Sequence, residues 1–313
     1  MMRSLFCAVV TGLLFLYSCS SRDSKGNFLD TTTSGHVKIA VDESLKPLLD
    51  AELDTFEALY QRAHIDIVYT SEEEAMNLLL NDSVRLAIIT RGLLASETEM
   101  FNKRQIHPTQ VSVAKEGIAA IFNKKNRDSV ITLPQLKDVL SGKISTWSQL
   151  RKGGSRDTIQ IVFDHPASGI VRYFKDSLKI DKLAPNCFAL KGNPAVIDFI
   201  STRPNAIGLI GASWISDADD STANVFLRTV RVGGVSRDTG EYYQPYPAYI
   251  AQGQYPLTRS ITVINPEGRA GLGSGFLAFI AGEKGQRIVL KAGLVPTTMP
   301  LRIVEFKREP LQN

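Results

Sequence analysis

Apolar and polar positions alternate in short blocks along most of the chain, and the period of alternation changes from block to block. "HVKIAV", starting at His36, alternates strictly and predicts a half-buried strand. "ESLKPLLDAELDTFEALYQR" follows with apolar residues at helical spacing. Next come "IDIVYT" as a strand, "EEEAMNLLLND" as a helix and "RLAIIT" as a strand. Strand and helix trade places in short steps without a repeat, the pattern of an α/β domain with a largely parallel sheet.

After "VAKEGIAAIFNKKN", a long strand, the pattern changes. "LPQLKDVLSGKISTW" reads as a short helix, a Gly turn and a Trp-bearing segment. "IQIVFD" is a strand, "SGIVRYFKDSL" and "AVIDFISTRP" are helices, and "AIGLIG" is a strand. A loop-rich stretch, "SRDTGEYYQPYPAY", precedes the late strand "RSITVIN". "GFLAFIAGEKGQRIVLKAGLVP" then closes with a helix ending at Gly293, ahead of Pro296. This order fits two α/β lobes: residues 36–112 with 258–313 as the first, completed by the C-terminal segment, and 113–257 as the second.

The first residues follow another rule. Arg3 is followed by "LFCAVVTGLLFLY", an apolar run of secretory length and too short to span a bilayer, so residues 1–18 read as a signal peptide. "LYSC" resembles the bacterial lipobox, which implies a lipid on Cys19 and attachment to a membrane. Residues 19–35 are small, polar and aperiodic, a flexible tether. Cys7 leaves with the signal, so Cys187 has no partner for a disulfide.

Composition adds limits. The 313 residues are 43% hydrophobic and 22% charged, enough for packed cores, and the net charge of +4 is too mild and scattered to argue for nucleic acid. The four histidines, His36, His64, His107 and His165, are far apart in sequence, and no metal-ligand spacing joins them. Ser168 lacks the flanking glycines of a nucleophile elbow, and Cys187 lacks a thiol-enzyme motif. "GLGSGF" has Phe276 at the third glycine position of a dinucleotide loop, so Ser274 reads as a helix cap. No enzyme signature, cofactor or metal is called for.

Several stretches, in order, resemble the phosphate-binding component of bacterial ABC importers, a branch of the type II periplasmic binding proteins. They are "LAIITRGLLASE", "AKEGIAAIFNKKN" with "LPQLKDVLSGKISTWSQL", "PNAIGLIG", "YPLTRSITVIN" and "FLAFIAGEKGQRIVLKAGLVP". The resemblance implies a two-lobed fold, each lobe a mixed, mostly parallel sheet flanked by helices, with a small oxyanion held in the cleft and passed to an ABC permease.

It also implies a site. Ser44 stands at the hydroxyl position of the first strand's loop, Thr70 and Ser71 at the second strand's end, and Ser168 and Gly169 at the family's Ser-Gly-Thr helix start, with Ile170 in place of threonine. Relatives carry an aspartate where this chain has Arg85 and an arginine where it has Asp164. One consequence is an anion site with exchanged charges, Arg85 and Asp164 pairing across the lobes when empty and Arg172 adding a cation. The other is a different small polar ligand, or a protein partner, for a lipid-anchored relative that feeds no permease.

Overall fold

Alternation is legible in β1 (Ser34–Asp42) because His36 and Lys38 face solvent while Val37 and Ile39 are buried. Beyond Ile39 the strand is covered on both faces and the alternation stops. The computed structural model describes residues 29–216 and 221–300. The signal peptide, Cys19 and the first part of the tether lie outside the described residues.

The other strands are β2 (Arg62–Thr70), β3 (Leu86–Ile89), β4 (Thr109–Asn123), β5 (Val130–Thr132), β6 (Gln160–Phe163), β7 (Cys187–Ala189), β8 (Ala206–Gly211), β9 (Val230–Val232), β10 (Gly234–Ser236), β11 (Thr258–Asn265) and β12 (Val295–Pro296). They run in the order β2-β1-β3-β11-β4-β8-β6-β7, with β9 and β12 also on β4 and a separate parallel ribbon of β5 and β10. β1, β2 and β3 are mutually parallel, as are β6, β7 and β8, while β11 runs antiparallel to both β3 and β4.

β4 belongs to both lobes. Its first part, up to Gly117, pairs with β11; from Ile118 onward it pairs with β8. The first lobe buries Ile39, Leu48, Phe56, Val263 and Phe276 on one face of its sheet and Ala75, Met76, Leu79 and Phe101 on the other. In the second lobe Phe122, Leu136, Trp147 and Phe174 fill one face, and Val162, Val196 and Ile200 the other.

Local chemistry sets the helices. Helix Leu133–Leu140 opens on a capping box, Thr132 accepting from the Gln135 N–H and Gln135 accepting from the Thr132 N–H. The closing helix is two helices, Leu272–Ala281 and Glu283–Lys291, because Gly282 is extended between them. Buried Gln286 fixes that corner, donating to the Val113 and Ile280 carbonyls at 2.9 Å.

Two local expectations need correction. Ser274 lies inside helix Leu272–Ala281, donating to the Arg269 carbonyl. The cap is Asp30, which accepts from the Leu272 N–H at 2.8 Å and pairs with Arg269 at 2.5 Å. Asp30, inside the segment expected to be a tether, is thus fixed to the first lobe.

Candidate functional site

The parallel strands of both lobes end at one seam, the place where α/β sheets gather ligands. β1 ends in Asp42, β2 leads through Thr70 and Ser71 into Glu72, and β3 leads into Thr90 and Arg91. From the second lobe β6 leads into Asp164, and helix Gly169–Leu178 starts after its cap Ser168, whose hydroxyl accepts from the Val171 N–H at 3.3 Å. Asp42, Ser44, Glu72, Thr90, Asp164 and Ser168 are all buried.

At the base of the seam, where β4 and β11 cross between lobes, Arg259 and Glu116 stand directly opposite each other. Arg259 donates to one Glu116 oxygen through Nε at 2.9 Å and Nη2 at 2.7 Å. The other Glu116 oxygen accepts from the Ser213 hydroxyl at 2.8 Å. Arg259 Nη2 also donates to the Ser44 hydroxyl at 2.8 Å. Both Glu116 oxygens and the Nε and Nη2 of Arg259 are bonded, while Nη1 makes only a long contact of 3.5 Å to the Thr90 hydroxyl.

Above it the charges are less balanced. Burial pushes the Asp42 carboxyl up to about 7, with Glu72 and Asp164 adding to the rise and Arg259 opposing it. One Asp42 oxygen accepts from the Ser44 N–H, while Oδ2 is buried without a partner. Burial also raises Asp164, whose oxygens accept from the His165 N–H at 3.0 Å and Asn193 Nδ2 at 3.4 Å. Glu72 goes the other way. Burial disfavours its charge, but Arg172, Thr90 and Arg91 outweigh that and hold its carboxyl below the usual range.

Glu72 also bridges the lobes. It accepts from the Thr90 N–H at 3.0 Å, the Thr90 hydroxyl at 2.5 Å and Arg91 at 3.2 Å within its own lobe, and from Arg172 of the second lobe at 2.5 Å. Arg91 is held in turn by Glu97 at 2.7 Å through two parallel bonds. The seam is shut. A Cβ added to Gly169 would stand 2.7 Å from Asp42 Oδ2 and 2.8 Å from Glu72 Oε2, and would overlap Thr90 Oγ1. One at Gly211 would stand 2.7 Å from Glu116 Oε1. Outside the Glu72–Arg172 bridge, a cavity of about 300 Å³ opens between the lobes, lined by Arg91, Pro166, Ser168, Arg172 and Lys175 among others.

Ser44, Asp164, Ser168, Gly169 and Arg172 thus meet at the seam. Ser71 serves as a cap, accepting from the Glu74 N–H, and Thr70 lies half-buried opposite Asp42 in register. The Ile170 side chain points into the core of the second lobe. Arg85 is the clear correction: it is half-exposed, pairs with Asp82 at 2.8 Å and lines a separate hollow with Phe101 and Glu267, so the expected Arg85–Asp164 pair is not formed. The reason is polarity of the strand, since Arg85 precedes β3 and the seam lies at its other end. Asp42, Glu72, Thr90, Arg91, Glu116 and Arg259 were missed. A charge inside an otherwise apolar strand, as in "AKEGIAAIF", is the signal that could have found Glu116.

A family model described as a PBP superfamily domain matches residues 28–284, and the chain belongs to that superfamily of periplasmic binding proteins. The phosphate-binding protein PstS of Pseudomonas aeruginosa is 24% identical over 288 residues, 87% of this chain and 85% of that one. PstS of Bacillus subtilis is 25% identical over 281 residues, 89% and 85% of the two chains. Among solved structures, a Clostridium perfringens protein with bound phosphate aligns with a TM-score of 0.72 at 24% identity, over 84% of this chain and 100% of its own. An ABC-type phosphate transport receptor from Vibrio cholerae aligns with a TM-score of 0.65 at 18% identity, over 84% and 100%. At these identities the solved structures define the fold, the two-lobed type II arrangement described above.

Proposed function

We propose that this chain is an extracytoplasmic solute-binding protein that captures phosphate or another small oxyanion and delivers it to an ABC permease, held at the membrane by lipid on Cys19. The observation that carries the ligand class is the start of helix Gly169–Leu178, which faces Thr90, Asp42 and Glu72 of the other lobe across the seam. Its free N–H groups and positive dipole end, with Arg172, Arg259 and the Thr90 N–H and hydroxyl, form a focus for negative charge. The named relatives are phosphate-binding proteins, which supports the same class.

A second reading has its own observation. In the shut state the Glu72 carboxylate already takes the Thr90, Arg91 and Arg172 donors, acting as an anion supplied by the protein. A ligand entering here either displaces Glu72 or is not a phosphate, and a lipid-anchored sensor of another small polar solute, or a dock for a protein partner, fits that condition. Calorimetric titration of phosphate, sulfate and small organic anions into the parent, Glu72→Gln and Arg172→Ala chains separates the two. Under the first reading an oxyanion binds the parent, binds Glu72→Gln at least tenfold more tightly and binds Arg172→Ala at least tenfold more weakly. No anion binding in parent or Glu72→Gln favours the second. Fractionation of a Cys19→Ala variant tests the anchor, with release from membranes expected.

A further inference from the structure

The parallel register of β1 and β2 sets His36 directly opposite His64, and Asp66 follows two residues later on the same exposed face. One ligand atom from each of the three residues lies within 4.8 Å of the others. His36 Nε2 is 2.7 Å and His64 Nε2 3.4 Å from the two Asp66 oxygens, and the imidazole centroids are 5.0 Å apart. We propose that His36, His64 and Asp66 form a surface site for a borderline divalent transition-metal ion of the Zn²⁺, Cu²⁺ or Ni²⁺ type, away from the ligand seam.

The donor set fits that class. Two neutral imidazoles and one carboxylate suit a borderline cation, whereas Mg²⁺ and Ca²⁺ prefer an all-oxygen shell. The side chains are open to solvent, so water completes the coordination, as in sites with three protein ligands. The surroundings add a second feature. While His64 turns Nε2 to Asp66, its Nδ1 stands 3.6 Å from Glu57 Oε1, and that same oxygen accepts from the Ile65 N–H at 2.8 Å. A carboxylate behind the outer nitrogen of a ligating histidine fixes its ring and its tautomer and strengthens it as a donor. Lys38 stands opposite Asp66 in register, a nearby cation whose repulsion a bound metal must outweigh. The site lies near the start of β1, while the seam lies at its end, so a metal here would join β1, β2 and the end of helix Lys46–Leu59 without touching the ligand residues.

The test is calorimetric titration of the untagged full-length chain with Zn²⁺ in a non-chelating buffer, with the visible spectrum of added Co²⁺ as a second readout. The expected result is one saturable equivalent, and a Co²⁺ spectrum showing nitrogen ligation. Mg²⁺ and Ca²⁺ should neither bind nor compete. His36→Ala and His64→Ala should each weaken Zn²⁺ at least tenfold, and Glu57→Gln about tenfold through the outer contact. Zn²⁺ should also raise the melting temperature of the parent and not that of the His36→Ala/His64→Ala double variant. His36 and His64 are exposed, so their variants keep the fold, and Gln at position 57 keeps an oxygen for the Ile65 N–H. Absence of saturable binding, or the same stoichiometry and affinity in the double variant, overturns the site.

Discussion

The two faces of the seam are built differently. The first lobe brings charged side chains fixed to its sheet and to strand ends: Asp42, Glu72, Arg91, Glu116 and Arg259. The second lobe brings mainly backbone and small groups, the helix start at Ser168–Gly169 with Gly211 and Ser213, plus Asp164 and Arg172. Charge is therefore set by a rigid face, and closure by how near a nearly bare backbone can approach it. A methyl group on the second lobe should matter as an electrostatic change does on the first.

The largest effect separating the faces is expected at the buried pair. Glu116→Ala removes the one carboxylate bonded to buried Arg259, leaving only the unbonded Asp42 and Asp164 charges nearby, and should cost about 3–5 kcal/mol of stability in denaturant titration. A loss below 1 kcal/mol would mean that water or another acid reaches Arg259. Gly169→Ala tests the opposite face. Its Cβ meets Asp42 and Glu72, so the shut arrangement should lose about 1–3 kcal/mol, seen as a larger radius of gyration by small-angle scattering. An unchanged radius would show that the seam absorbs a methyl group.

A third prediction sharpens the role of Asp42. Its carboxyl titrates near 7 and is neutral below that pH, where it does not repel an incoming anion. Affinity for sulfate, which does not titrate in this range, should be level below about pH 6 and fall by up to tenfold per unit above 7, about 1.4 kcal/mol each. In Asp42→Asn that dependence should vanish. The smallest effect belongs to Arg85. Arg85→Ala should change stability by no more than about 0.5 kcal/mol, since its pair with Asp82 is solvated, and should leave anion titrations unchanged.

What the sequence made legible follows from what is local. The helix start at Ser168 and the alternation of β1 depend on residues a few positions apart, and both were readable. The pairing of Arg259 with Glu116 joins residues 143 positions apart, and nothing in either neighbourhood announces the other. Arg85 misled because only the match to the family's aspartate position pointed to it, whereas the seam lies at the carboxyl ends of the parallel strands and Arg85 precedes β3. His36 and His64 looked unrelated because their proximity is a matter of strand register, which no spacing rule in the sequence expresses.

The placement of β11 has a consequence for the order in which the protein is made. β3 and β4 are adjacent in sequence, yet β11 lies between them and pairs with both. As the chain emerges from its N-terminus, the β2-β1-β3 sheet is left with an open edge, and β4 finds no partner on that side, until Thr258 and the residues after it arrive. An unpaired edge of apolar strand recruits other chains. Synthesis thus imposes a waiting period on the first lobe, ended by the arrival of β11, and a truncation before β11 would convert that delay into permanent exposure.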